Sequence, residues 1–180
     1  AGGRLIVYGD VVFAGSGVNT NTTLIDLTAP VGGNSAPSIS LIGTRPFDIA
    51  DGAAQADLTI LPAITNGGMV KSGAGSLALN GENSFADGLT ISNGTLILNG
   101  SLACHAVVCS NATLTGAGTI ATNGATALTV NTGGILEPGL AGGIGTFTVT
   151  GDVYFADGAR LHLDAGDSGS DLIAVSGGVA

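Results

Sequence analysis

The chain has no tryptophan, only two Tyr and five Phe, and charged residues make up 9% of its 180 positions. An ordinary soluble domain has roughly 25% charged residues. Only four are Lys or Arg, against thirteen Asp or Glu, so the net charge is −9. A duplex-binding surface needs the opposite sign, which argues against nucleic acid as a partner. No stretch approaches the ~18 consecutive apolar residues of a spanning helix, so this segment is not expected to insert into a membrane. A basic stretch followed by an apolar one, as in a leader, is missing too. The chain opens on Ala1 and not on Met, and reads as a mature or excised piece of something longer. Two cysteines are too few for a disulfide-dense scaffold, yet they can form one bridge in an oxidising compartment.

What is present is glycine, 32 residues of it, within a chain that is still 44% hydrophobic. That apolar content excludes the low-hydrophobicity profile of disorder, and the lack of a three-residue glycine period excludes collagen. The length suits a single domain over 1–180. Helical spacing of apolar residues is missing, and each interrupting glycine would cost a helix interior about 1 kcal/mol. Period-two pairs recur instead: Leu77 and Leu79, Leu89 and Ile91, Leu96 and Leu98, Leu128 and Val130, Phe147 and Val149, Val153 and Phe155, Leu161 and Leu163. Each pair puts apolar side chains on one face of a short strand. Turn chemistry separates them: Asn66-Gly67, Asn80-Gly81, Asn93-Gly94, Asn99-Gly100, Asn123-Gly124, Gly133-Gly134 and Gly142-Gly143. These dipeptides supply the positive φ of tight corners.

An all-β chain of this kind is either a sandwich or barrel, with Asn-Gly as hairpin turns, or a parallel β-helix, with the same residues as corners. Sandwiches bury several large aromatics, whereas a solenoid stacks small aliphatics one layer per coil. The scarcity of aromatics favours the solenoid. Repetition favours it as well: Gly9-Asp10-Val11-Val12-Phe13-Ala14 recurs as Gly151-Asp152-Val153-Tyr154-Phe155-Ala156. About seven to nine coils are expected, giving a rod of roughly 35–45 Å at about 4.8 Å per layer. Residues 1–56 are less regular, and Pro30, Pro37 and Pro46 fall between Asn19 and Ala56. Looser coils or an excursion are expected there.

The stretch from Gly67 to Leu96 carries Gly67, Gly68, Lys71, Gly73, Gly75, Leu77, Leu79, Gly81, Asn83, Phe85, Gly88, Ile91, Gly94 and Leu96 at a distinctive spacing. It resembles the autotransporter-associated β-strand repeat, the passenger-associated motif of bacterial type V secreted proteins. Phe85 stands where that family usually has Tyr, and Asp87-Gly88 where it often has Gly-Gly. Downstream, Ala112–Ile120, Gly134–Gly139 and Gly145–Val175 look like the coils that follow in such passengers, so the resemblance covers roughly 57–180. It implies a right-handed parallel β-helix that is exported and displayed or released outside a bacterial cell. It implies no catalytic activity and no cofactor. No membrane barrel is visible in the chain.

Several residues invite chemical readings. Gly166-Asp167-Ser168-Gly169-Ser170 resembles the nucleophile motif of chymotrypsin-like proteases, with His105 and Asp152 as possible base and orienter. The following Pro of that motif is missing, and a polar corner is the simpler reading. Asp164, Asp167 and Asp171 could offer hard oxygen ligands to Ca²⁺, but calcium-binding coils need the acidic motif in tandem. Cys104 and Cys109 could bridge only if the chain turns a corner near His105-Ala106, because five extended residues span about 17 Å. A bridge there is expected, and a metal site with His105 lacks a fourth ligand. His162 lies between Leu161 and Leu163 and should point outward. Glu82, Glu137 and the scattered Asp residues are the carboxylates that a polysaccharide hydrolase or lyase would pair. The Asn-x-Thr/Ser matches at Asn21, Asn93, Asn99 and Asn111 follow from an Asn/Thr-rich composition.

The expectation is therefore an extracellular or cell-surface β-helical scaffold, serving adhesion, assembly or display. Solenoid ends expose unpaired backbone and core, so its expected partner is itself or a flanking coil, end to end. A host or cell-surface ligand is a further possible partner.

Overall fold

The computed structural model describes residues 4–15, 23–27, 36–140, 143–167 and 169–180, with only the backbone described over 123–126. No helix occurs among them. Coil by coil, the first holds β1 (Arg4–Val7), β2 (Val11–Phe13) and β3 (Thr23–Ile25), and the second β4 (Ser38–Leu41), β5 (Thr44–Ile49) and β6 (Leu58–Ile60). The third holds β7 (Ala63–Thr65), β8 (Gly68–Ser72) and β9 (Ser76–Leu79), and the fourth β10 (Glu82–Ser84), β11 (Leu89–Ile91) and β12 (Thr95–Leu98). The fifth holds β13 (Ser101–Cys104), β14 (Val107–Cys109) and β15 (Thr113–Gly116). In the sixth, one strand, β16 (Thr119–Val130), runs along two faces before β17 (Ile135–Pro138); in the seventh, β18 (Thr146–Phe155) does the same before β19 (Arg160–Leu161). A small antiparallel hairpin of β20 (Ala165–Gly166) and β21 (Gly169–Ser170) precedes β22 (Leu172–Val175), which begins an eighth layer on β18.

All other named strands pair in parallel with the equivalent strand one coil away, giving three faces. Face A stacks β1, β4, β7, β10, β13 and the first halves of β16 and β18. Face B stacks β2, β5, β8, β11, β14 and the second halves. Face C is the seven-stranded sheet β3-β6-β9-β12-β15-β17-β19. The expected parallel β-solenoid is what the chain forms; its seven stacked layers are joined by about six turns, slightly different from the seven to nine coils expected. The difference lies in uneven coil lengths. Leu77 and Leu96 are paired neighbours 19 residues apart, whereas Thr23 and Leu58 are 35 apart.

Register explains why small aliphatics suffice for a core. Leu58, Leu77, Leu96, Leu114, Leu136 and Leu161 form one unbroken column on face C. On face B, Met69, Leu89, Val107, Leu128 and Val153 form another. Side chains of one row meet their like above and below, and all but Leu161 in these two columns are buried. On face C even the outward row of Thr59, Ala78, Ile97 and Thr115 is buried. Gly139 contributes to that cover: its carbonyl accepts the Thr115 hydroxyl proton.

Two sequence expectations change. Asn123-Gly124 does not separate two strands: β16 continues through it from face A to face B and takes up the bend as a register shift against β18 between Ala121 and Thr126. The echo of Gly9–Ala14 in Gly151–Ala156 does not mark equivalent positions. The column through Val11 runs by Phe47, Lys71, Ile91, Cys109 and Val130 to Phe155, so the copies are slipped by two residues. A two-residue slip keeps each side chain on its own side of the sheet. Gly142 of the expected Gly142-Gly143 turn lies outside the described residues.

Column position should govern the cost of truncation. Leu96→Ala, enclosed on both sides, should lose about 3–5 kcal/mol in urea unfolding. Leu161→Ala, at the open end, should lose about 1 kcal/mol or less. Equal losses would contradict the column as the source of stability.

Candidate functional site

The repeat segment supplies two buried polar side chains, Lys71 and Asn83, and both act on backbone. Met69 and Lys71 alternate with Val70 along β8, so both enter the core. Lys71 has no exposed surface and sits between Phe47 and Ile91 in its column. An ammonium in such a place must have all three protons met. Its Nζ donates to the carbonyls of Ser72 at 2.8 Å, Gly73 at 3.0 Å and Asn93 at 3.1 Å. Ser72 ends β8 and Gly73 opens the corner after it, while Asn93 lies in the same corner one coil on. Burial pulls the amine down to about 8, while the carboxylates of Asp48 and Asp57 pull it back up.

Those carboxylates hold the same corner. The Ser76 N–H donates to Asp57 Oδ2 at 2.7 Å, and the Ser72 hydroxyl donates to Asp48 Oδ1 at 3.4 Å. Gly73 and Gly94 take φ of 72° and 66° in successive coils, the left-handed region. A Cβ on Gly94 would run into the carbonyl oxygens of Gly73 and Gly75. The motif glycines therefore let one corner nest on the next.

Asn83 is the second internal clamp. It interrupts a face A column of Ile39, Ile64, Leu102, Ile120 and Val149, and is nearly fully buried. Its Oδ1 accepts from the Ile64 N–H at 3.0 Å in the coil before. Its Nδ2 donates to the Gly81 carbonyl at 2.9 Å and to the Ser101 carbonyl of the coil after at 3.1 Å. One side chain thus ties three coils. At the corner from face C to face A, Asn99 Nδ2 donates to Asn80 Oδ1 at 3.0 Å, a shorter ladder of the same kind.

The expected Cys104–Cys109 bridge is not present; both thiols are free and buried. The chain does turn at His105-Ala106, but it sends the two side chains into separate environments. Cys104 ends β13 on face A and donates to the Ala106 carbonyl, whereas Cys109 lies in the face B column between Ile91 and Val130 and donates to the Ala112 carbonyl. Burial raises each thiol to about 11.

The other candidates are scattered or engaged in structure. Ser168 lies outside the described residues. Asp152, its proposed orienter, accepts the Gly178 N–H at 2.6 Å. Of the acidic trio, Asp171 is buried and accepts from the N–H groups of Gly145 and Asp164, both at 2.8 Å, closing the base of the β20–β21 hairpin; Asp167 is exposed in its turn. Among the described residues no three His, Cys, Asp or Glu side chains are grouped to hold a metal ion. Glu82 lies on face A in the fourth coil and Glu137 on face C in the sixth, so the structure does not bring them together. His162 points outward as expected, with Nδ1 3.4 Å from Glu137 Oε1 and Nε2 3.9 Å from Asp164 Oδ1. Sequence reasoning missed Asp57. It directly precedes a column leucine, but that position has meaning only once the column is known.

A chain whose buried Lys71 and Asn83 hold coil on coil belongs to a recognisable class: repeat solenoids stabilised by nearest-neighbour contacts. Residues 69–98 match the Passenger-associated-transport-repeat family, so the chain carries that repeat where Lys71 and Asn83 make their clamps. A curated relative, an extracellular serine protease of Serratia marcescens, is 36% identical over 110 residues, 61% of this chain and 10% of that protein. The chain thus spans about a tenth of that relative. No solved structure matches it.

Lys71→Met keeps the volume but strands three carbonyls, and should cost about 2–4 kcal/mol in urea unfolding. The amine titrates near 8 in the fold against 10.5 when unfolded. Above pH 8 the unfolded chain therefore binds more protons, and Lys71 makes stability rise with pH towards 10.5. The gap between the native chain and Lys71→Met should widen by about 1 kcal/mol from pH 7 to pH 9. Cys104 and Cys109 have the opposite sign: their contribution is present below pH 9 and is lost as pH rises towards 11. At pH 8 neither should react with a thiol reagent until denaturant is added.

Proposed function

We propose that the chain is an exported structural scaffold, a passenger-like β-helical segment that acts as a rod in adhesion, assembly or display on or outside a bacterial cell. The passenger-associated repeat at 69–98 and the likeness to an extracellular protein support export. The observation that carries the rod reading is where apolar surface remains. Leu5, Ile6, Tyr8, Val12 and Leu24 are exposed in the first coil, and Ile144, Tyr154, Leu161, Leu163, Leu172 and Val179 from the seventh onward. Between the ends, only Ile42 and Leu61 are large, apolar and exposed among the described residues. Apolar surface concentrated in the end coils of a solenoid is suited to meeting another coil of its own kind. The rod works mechanically, through its core columns and the clamps of Lys71 and Asn83.

Sedimentation velocity and negative-stain microscopy over a concentration series should show end-to-end rods. Leu5→Asp with Leu24→Asp, both already exposed, should return the population to single particles without lowering the melting temperature. Monomers at every concentration would overturn the stacking.

A further inference from the structure

Five Asn-Gly pairs occur in the chain, and in one of them, Asn93-Gly94, the side chain is aimed at its own backbone. The Gly94 N–H donates to Asn93 Oδ1 at 2.8 Å, which brings the glycine nitrogen up to the side-chain carbonyl of the asparagine. Among the described residues no backbone carbonyl takes that N–H. The other Asn-Gly pairs with described side chains are arranged differently. Asn66 turns its amide to the Ser40 and Thr65 hydroxyls, and Asn99 donates to Asn80. The Gly100 N–H is taken by the Leu79 carbonyl at 3.1 Å.

Asn93 is also where Lys71 reaches the next coil. The ammonium donates to the Asn93 main-chain carbonyl at 3.1 Å, and that carbonyl and the Gly94 nitrogen belong to one peptide group. An amide nitrogen attacks only after losing its proton, and the charge left behind spreads onto the carbonyl oxygen. A cation already in place on that oxygen stabilises the charge where it develops. The backbone on either side is pinned. The Ser92 N–H donates to the Lys71 carbonyl at 2.9 Å, the Thr95 N–H to Gly75 at 3.2 Å, and the Thr113 N–H to Gly94 at 2.9 Å. A Cβ on residue 94 would meet the Gly73 and Gly75 carbonyls, so the nitrogen at this corner belongs to a residue with no side chain to shield it. Asn93 is exposed, so water and hydroxide reach the pair. Nucleophile, electrophile and cation are held in one corner, the arrangement that makes an intramolecular step fast.

We propose that this corner is a self-modifying site, at which Asn93 loses its side-chain amide through attack by the Gly94 nitrogen while Lys71 supports the charge. Hydroxide takes the Gly94 proton, the nitrogen bonds to Asn93 Cγ, and the Cγ–Nδ2 bond breaks as ammonia leaves with a proton from water. The product is a five-membered imide. Water reopens it at Cγ, leaving aspartate at 93, or at the main-chain carbonyl, leaving an isoaspartyl link. Asparagine and water thus give acid and ammonia, with nothing oxidised or reduced. The isoaspartyl product turns the carbonyl that Lys71 holds into a free carboxylate, so the buried ammonium gains a counter-charge and favours that product. The inference holds whether or not the chain forms rods.

The intact chain is aged at pH 7 and its peptides followed by mass spectrometry, with isoaspartate-specific methylation to identify the product. Asn93 should gain one mass unit about tenfold faster than Asn66, Asn80 or Asn99, and the four rates should converge in urea. Lys71→Met should slow Asn93 about tenfold, while Asn99 in the same sample reports any general loosening. Burial pulls the Lys71 amine down to about 8 against the carboxylates of Asp48 and Asp57. The native rate, which climbs with hydroxide, should therefore flatten above pH 8, and that of Lys71→Met should keep climbing. A native Asn93 no faster than the other three overturns the proposal, as does an unchanged rate in Lys71→Met with Asn99 steady. If Asn99 quickens in that variant, the native pH profile decides, and a rate climbing unbroken through pH 8 overturns the proposal. Cleavage of the chain after Asn93 also overturns it, since Nδ2 would then be the attacking atom.

Discussion

In a parallel ladder each strand bonds to its neighbours through evenly spaced, slanted backbone hydrogen bonds, and the pairing gives slightly less per residue than an antiparallel one. A solenoid built this way depends on keeping every coil in register with the next, because a one-residue slip turns each core side chain to the outside. Here, strands of three to five residues carry most of that burden. Columns of Leu on face C, and of Met, Leu and Val on face B, make the correct register the one that stacks like on like. The same columns explain why the molecule needs so few aromatic and charged residues.

Hydrophobic columns alone would tolerate a slip by two, as the displaced copies at Gly9–Ala14 and Gly151–Ala156 show within this chain. The polar clamps do not. Lys71 reaches carbonyls at Ser72, Gly73 and Asn93, and Asn83 meets Ile64 on one side and Ser101 on the other. Moving either coil by two residues would leave buried donors unmet, each at the cost of desolvation without recompense. The repeat segment is thus where register is specified most strictly, and the coils on either side inherit it.

Much of the fold was legible because strand alternation and Asn-Gly corners are local signals. Leu77 with Leu79, and Leu96 with Leu98, point inward as their spacing implies. The corners at Asn66, Asn80, Asn93 and Asn99 also fall between strands. The failures share a cause: each needed knowledge of what lies one coil away. Asn123-Gly124 stays within a strand because β18 pairs alongside it, and Cys109 is drawn away from Cys104 by its place under Val130. The number of turns came out slightly different because coil length is set by corner insertions that carry no periodic mark. Of the polar interior, Lys71 and Asn83 stood out within the motif, but their inward direction did not, since a charged residue on an alternating strand is normally read as outward.

β16 and β18 each run unbroken from face A to face B, whereas in the coils below that corner separates two strands. A strand shared by two faces couples them. A pull that strains the ladder of one face is passed directly to the other, so the two faces of these coils give way together and not in turn.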